Sequence, residues 1–127
     1  MSKIVFIVNP HAGNGSTGSI WPFIEALAKD RLGPFEAYLT KGPGDAVLFA
    51  KNAVAEKTRL LVCVGGDGTL NEVVNGIMMH EKSIRSDVTL GFIPNGTGCD
   101  FVRTVSIPQD IEQAMDLIAS GHTRSID

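Results

Sequence analysis

Between Arg59 and Met79 the chain reads RLLVCVGGDGTLNEVVNGIMM: an apolar run, a glycine-rich break, then apolar residues at helical spacing. Leu60 to Val64 is apolar without interruption between a charge and Gly65, the pattern of a strand covered on both faces of a parallel sheet. After the break, Leu70, Val73, Val74 and Ile77 fall at i, i+3, i+4 and i+7, one face of a helix. The stretch therefore reads as strand, tight turn, helix, and the rest of the chain has to support it.

Gly65, Gly66 and Gly68 leave no side chain between the main chain and whatever lies against it, so a bulky anion can come close to the amides. The following helix offers its unpaired N–H groups and the positive end of its dipole at the same spot, which favours phosphate by roughly 0.3–1 kcal/mol. Asp67 is the odd member. A carboxylate beside a phosphate repels it unless a divalent cation lies between them or the acid handles a proton. The same residues also make a good turn, and Thr69 with Glu72 three positions on fits a capping box that needs no ligand.

The other loops bear on that choice. Lys3 to Val8 is a second apolar run, followed by the polar loop Asn9-Pro10-His11-Ala12-Gly13-Asn14-Gly15-Ser16 and a helix marked by Ile20, Phe23, Ile24 and Leu27, with Pro22 in its first turn. Asn9 before Pro10 suits either a turn or a contact to a ribose or phosphate, and His11 reads as an exposed loop residue. Phe35 to Thr40 alternates as an edge strand and ends at Thr40-Lys41-Gly42-Pro43-Gly44, after which Asp45 is placed to cap a helix through Ala46, Val47, Ala50 and Val54. His80 to Asp87 is a polar connection with Lys82 and Arg85 in solvent. Val88 to Ile93 is the next strand, opening into Pro94-Asn95-Gly96-Thr97-Gly98-Cys99-Asp100. Phe101 to Val105 reads as a short helical piece, and Ile111, Ala114, Met115 and Ile118 mark the last helix. Strand and helix alternate throughout, so the fold class is α/β with a mainly parallel sheet between helices. In such sheets ligands gather beyond the carboxyl ends of the strands, where four glycine-bearing loops leave this one. The final residues, His122 to Asp127, read as the start of a strand with nothing to pair with, hence the expectation of one domain from a longer protein.

At 127 residues the chain suits one domain with a real core. A net charge of −3 disfavours a broad nucleic-acid surface, and no apolar run nears the roughly 20 residues that span a bilayer, so the cytoplasm is the default compartment. Cys63 falls inside a buried strand and Cys99 inside a glycine loop, which fits neither a disulfide framework nor a CxxC metal site.

With GGDGTLNEVVNG at Gly65 to Gly76, VNPHAGNGS at Val8 to Ser16 and IPNGTGCDFVR at Ile93 to Arg103, the sequence resembles the catalytic N-terminal domain of the diacylglycerol kinase family, which includes bacterial lipid kinases, sphingosine kinases and ceramide kinases. The resemblance covers essentially the whole chain. It implies a three-layer Rossmann-like domain of the type also found in NAD kinases, followed by a β-rich second domain. It also implies transfer of the ATP γ-phosphoryl group to a lipid hydroxyl, with Mg²⁺. Carried over by position, Gly65, Gly66, Asp67, Gly68, Thr69, Leu70, Asn71 and Glu72 match the nucleotide-phosphate loop; Asn9, Thr40, Gly96 and Thr97 match nucleotide contacts. Asp67 matches the aspartate beside the reacting phosphate, serving as base or as Mg²⁺ holder. Cys99 stands where the family usually has Asn, and Asn95 where Leu is common. No GxxxxGK[ST] lysine is present, so backbone amides, Mg²⁺ and the candidates Lys41 and Arg103 are left to neutralise charge.

Three other readings compete: a NAD kinase or phosphofructokinase-like enzyme, which shares the GGDG loop, a nucleotide-binding module without catalysis, and an oligomerisation or scaffold domain that takes no ligand. The expected partners are ATP and a lipid, with peripheral membrane contact and room for a homodimer.

Overall fold

The structure, a computed structural model, describes residues 3–85, 87–94, 115, 118, 124 and 125. Its elements in order are β1 (Ile4–Val8), α1 (Ser16–Leu32), β2 (Glu36–Leu39), α2 (Asp45–Ala55), β3 (Leu60–Gly65), α3 (Asp67–Met78), α4 (Lys82–Arg85), β4 (Thr89–Pro94) and β5 (Arg124–Ser125). They form one sheet in the order β2-β1-β3-β4-β5. The first four strands are parallel, and β5 runs antiparallel to β4 through Thr89–Ser125 and Leu90–Arg124. The expectation that the final segment has no partner is thus corrected: the free edge of β4 supplies one.

Alternation along the strands sorts the core into two faces. Val5, Ile7, Leu61, Cys63 and Leu90 pack under α2 and α3 with Ala46, Ala50, Val73 and Ile77. Phe6, Val8, Val62, Val64 and Ile93 face the other way, against Trp21, Ile24 and Ala28 of α1 and against Met115 and Ile118, both helical. The three-layer α/β expectation holds, with β1 and β3 covered on both sides as their unbroken apolar runs require. Cys63 is a fully buried core residue. The readings of Phe101–Val105, Ile111, Ala114 and Cys99 lie outside the described residues.

α1 begins one turn earlier than its apolar spacing indicates, so Pro22 falls in the second turn, where it removes an intrahelical hydrogen bond on the exposed side. The buried stripe is Thr17, Trp21, Ile24 and Ala28; Phe23, expected on that face, is 45% exposed. Trp21 takes the inward position because Phe6 offers it a ring at 5.9 Å, and Phe6 also meets Phe35 at 4.6 Å. His80 to Asp87 carries the short helix α4, and the His80 ring lies 2.8 Å from the Lys51 carbonyl.

β2 is the edge strand that its alternation indicates. Tyr38 stacks on Phe49 of α2 with centroids 5.4 Å apart, and its hydroxyl donates to the Glu36 carboxylate. That carboxylate holds the phenol proton on, pushing Tyr38 above the ordinary phenol range. Because the folded value is raised, the stabilisation is present below the unfolded phenol pKa and is lost as pH rises through the folded one. Tyr38 is the chain's single tyrosine, so tyrosinate absorbance reports it alone. An alkaline titration is expected to show a late midpoint that falls in Glu36→Ala; an unchanged midpoint would mean that the hydroxyl does not engage Glu36 in solution.

Candidate active site

Strand order reverses between β1 and β3. From β1 the chain crosses to β2 on one side, and from β2 it returns past β1 to β3 on the other. A right-handed crossover then puts α1 on one face and α2 and α3 on the opposite face, leaving a crevice where the two paths diverge. The register brings the strand ends level: Val8 lies beside Leu39 and Val64, and Gly65 beside Pro94. All four glycine-bearing loops therefore start from one rim, including the one that goes on to Gly96 and Thr97, two positions outside the described residues.

Main-chain bonds join neighbouring loops at that rim. The Asn9 N–H donates to the Val64 carbonyl at 2.9 Å, and the Thr40 N–H to the Val8 carbonyl at 2.8 Å. The Asn9 side chain is committed at both ends, its Oδ1 accepting the His11 N–H and its Nδ2 donating to Thr69 Oγ1, each at 3.0 Å. Asn9 thus makes the turn and ties the first loop to the first turn of α3. Thr69 is buried at the end of β3 because Gly65 makes room: a Cβ there would sit 2.9 Å from Thr69 Oγ1. After Asn9 the backbone takes positive φ at Gly13, Asn14 and Gly15 in succession, which two glycines and an asparagine tolerate best.

The capping-box expectation is corrected. α3 starts at Asp67 with Gly66 as an extended N-cap and no side-chain cap, since Thr69 Oγ1 is turned to Asn9 and Glu72 Oε1 accepts the Gly44 N–H at 3.1 Å. Thr69 and Glu72 thus link loops, and the N-cap residue Gly66 brings no side chain to the helix end. Asp45 likewise does not cap α2, whose N-cap is Gly44 at φ 90°. Its Oδ2 accepts the N–H groups of Lys41 at 2.7 Å and Gly42 at 3.2 Å in the preceding loop.

These loops enclose a cleft of about 480 Å³ lined by Asn9, Ala12, Gly13, Thr40, Pro43, Ala46, Gly66, Asp67, Gly68, Thr69 and Glu72. Seven of the residues singled out in the sequence line it. Gly65 is buried behind Thr69, Leu70 packs into the core, and Asn71 is exposed outside the cleft. Ala12, Gly13 and Pro43 were not singled out, their signal being only membership of the right loops, and Ala46 was read only as part of the apolar face of α2. The chemistry of the lining is lopsided. Asp67 and Glu72 bring two carboxylates, and among the described residues no lysine or arginine lines the cleft. Lys41 is exposed beside it, and Arg103 lies outside the described residues. Nor do the described residues hold a group of three His, Cys, Asp or Glu able to cage a metal.

Residues 3–127 match the diacylglycerol kinase catalytic domain. The chain is 42% identical over 123 residues to a diacylglycerol kinase of Staphylococcus carnosus (strain TM300), covering 95% of this chain and 38% of that protein. It is 45% identical to a diacylglycerol kinase of Staphylococcus aureus (strain bovine RF122 / ET3-1), covering 95% and 37%. A crystal structure of a diacylglycerol kinase from Bacillus anthracis str. Sterne superposes with a TM-score of 0.76 at 36% identity, over 95% of this chain and 40% of that one. The chain thus spans under two fifths of the curated relatives that it matches. With the family model matched over residues 3–127 and the fold shared with a diacylglycerol kinase, the chain belongs to the diacylglycerol kinase catalytic domain family.

Proposed function

We propose that this chain is the nucleotide-binding domain of an ATP-dependent lipid kinase that transfers the γ-phosphoryl group to a hydroxyl of diacylglycerol. The observation that carries the reading is the first turn of α3, opened by a glycine N-cap and lining a cleft at the point where strand order reverses. Its amides are the kind of donor that holds phosphate, and they need no reorganisation to do so. Ala12, Pro43 and Ala46 give the cleft an apolar side suited to the rest of the nucleotide. The acceptor is a membrane lipid, so peripheral contact with a bilayer follows from the substrate; no helix among the described residues is long and apolar enough to cross one.

The residues present fit Mg²⁺ in one mode only. Mg²⁺ keeps several waters and takes one or two carboxylates plus substrate phosphates, which suits a cleft with exposed Asp67 and without a three-ligand cluster among the described residues. Asp67 would hold the ion, which would neutralise phosphate charge that no basic side chain among the described lining residues offsets. What the chain itself does is orient the triphosphate on α3 and close the cleft through the Asn9–Thr69 and Gly44–Glu72 links.

Calorimetry with Mg-ATP tests the site directly. Saturable heat is expected from the chain, and Gly66→Asp is expected to abolish it by placing a carboxylate where the phosphates must lie. Absence of heat in the wild type, or unchanged binding in Gly66→Asp, would remove the nucleotide reading. The activity is checked in the whole protein with ATP against diacylglycerol, sphingoid bases and NAD; phosphorylation of NAD alone would overturn the lipid assignment.

A further inference from the structure

We infer that Asp45 is a positioning residue for the nucleotide cleft, holding in place the wall that Thr40 and Pro43 present to the ligand. The inference rests on the nucleotide reading above. Asp45 is the first residue of α2 and does not itself line the cleft. An aspartate serving its own helix would aim its oxygens forward at the N–H groups of the first turn. Asp45 aims backward, with Oδ2 on the amides of Lys41 and Gly42, while its own N–H donates to the Gly42 carbonyl at 3.3 Å.

The direction matters because of what the loop is made of. Gly42 and Gly44 flank Pro43, and glycines leave the chain many conformations to lose when it is fixed in one. A carboxylate accepting two main-chain amides is a charge-assisted arrangement, stronger than a neutral pair. It fixes the near half of the loop, and Glu72 fixes the far half through the Gly44 N–H. Thr40, Pro43 and Ala46 then stand at set positions opposite α3. Without Asp45 the wall has to be ordered by the nucleotide itself, at the expense of affinity.

A carboxylate in the first turn of α2 also interacts with the helix dipole, and the two roles separate by substitution. Asparagine keeps an oxygen that accepts the two amides and loses the charge; alanine loses both. The test compares the full chain with Asp45→Ala and Asp45→Asn, measuring Mg-ATP affinity by calorimetry, amide exchange at Lys41 and Gly42 by NMR, and unfolding through Trp21 fluorescence. Asp45→Ala is expected to weaken Mg-ATP binding about tenfold and to deprotect both amides, with Asp45→Asn restoring most of each. If Asp45→Ala binds Mg-ATP within twofold of wild type, or the two amides keep their protection, Asp45 does not position the loop. An asparagine variant as weak as alanine in binding while both amides keep their protection would assign the effect to helix charge instead. A wild-type chain with no nucleotide-dependent heat would bring down the nucleotide reading and this role with it, an outcome distinct from a binding wild type with an indifferent Asp45.

Discussion

Replacing Asp67 with asparagine is expected to lower phosphoryl transfer in the whole protein roughly a hundredfold or more, with little change in stability. Asp67 is exposed at the start of α3, where its charge adds a small favourable term with the helix dipole. In the cleft the same charge has a large task. Under the proposed function, with no basic side chain among the described lining residues, it would recruit a cation against the triphosphate. If it holds Mg²⁺, the variant needs more Mg²⁺ for half-maximal rate while the pH profile keeps its shape. If it acts as a base, the acid limb of kcat/KM flattens and the Mg²⁺ requirement stays. Activity within twofold of wild type would remove Asp67 from the chemistry altogether. Trp21 fluorescence, the chain's only indole signal, serves as the folding control.

The largest expected effect on stability is at Gly76. A Cβ there would lie 2.3 Å from the Val47 carbonyl, 2.8 Å from Ala50 Cβ and 3.1 Å from the Lys51 amide nitrogen. Two opposing terms decide the sign of Gly76→Ala. Alanine is favoured over glycine in a helix interior by up to about 1 kcal/mol. Overpacking costs about 1–3 kcal/mol and occasionally more, and here the obstruction is backbone that cannot rotate away. The steric term wins, so a net loss of about 2 kcal/mol or more is expected, a large fraction of the roughly 5–15 kcal/mol that holds a domain folded. Urea unfolding followed by Trp21 fluorescence measures it. A variant as stable as wild type would show that the spacing of α2 and α3 is not set at this contact. Because the Gly44–Glu72 link ties the N-cap of α2 to the middle of α3, forcing these helices apart is also expected to weaken Mg-ATP binding.

The layers of the molecule were legible because they follow from periodicity. Unbroken runs at Lys3–Val8 and Leu60–Val64 became the central strands, the alternating Phe35–Thr40 became the edge, and the face Val73, Val74 and Ile77 became the inner side of α3. Motif order placed the site, since loops after parallel strands share an end. What local pattern could not supply was the choice between short-range and long-range partners for the same polar group. Thr69, Glu72 and Asp45 all sit at spacings suited to helix capping, yet each bonds to another loop or to the loop before it. For Thr69 and Glu72 tertiary contact won, because Asn9 and Gly44 lie within reach only after the sheet has formed, whereas Asp45 turned to the loop just before it, three and four positions away. Phe23 and Trp21 show the same limit in the core. Two aromatics two positions apart cannot both face inward on a helix, and which one does depends on Phe6 of β1.

The hydrogen bonds from the Asn9 N–H to the Val64 carbonyl and from the Thr40 N–H to the Val8 carbonyl lace three strand ends into one seam. A seam of this kind sets the unit of exchange for engineering. Transplanting the segment after β1 alone from a relative of different loop length would pull on Val64 and, through Val8, on Thr40, so a donor's segments have to be moved as a matched set.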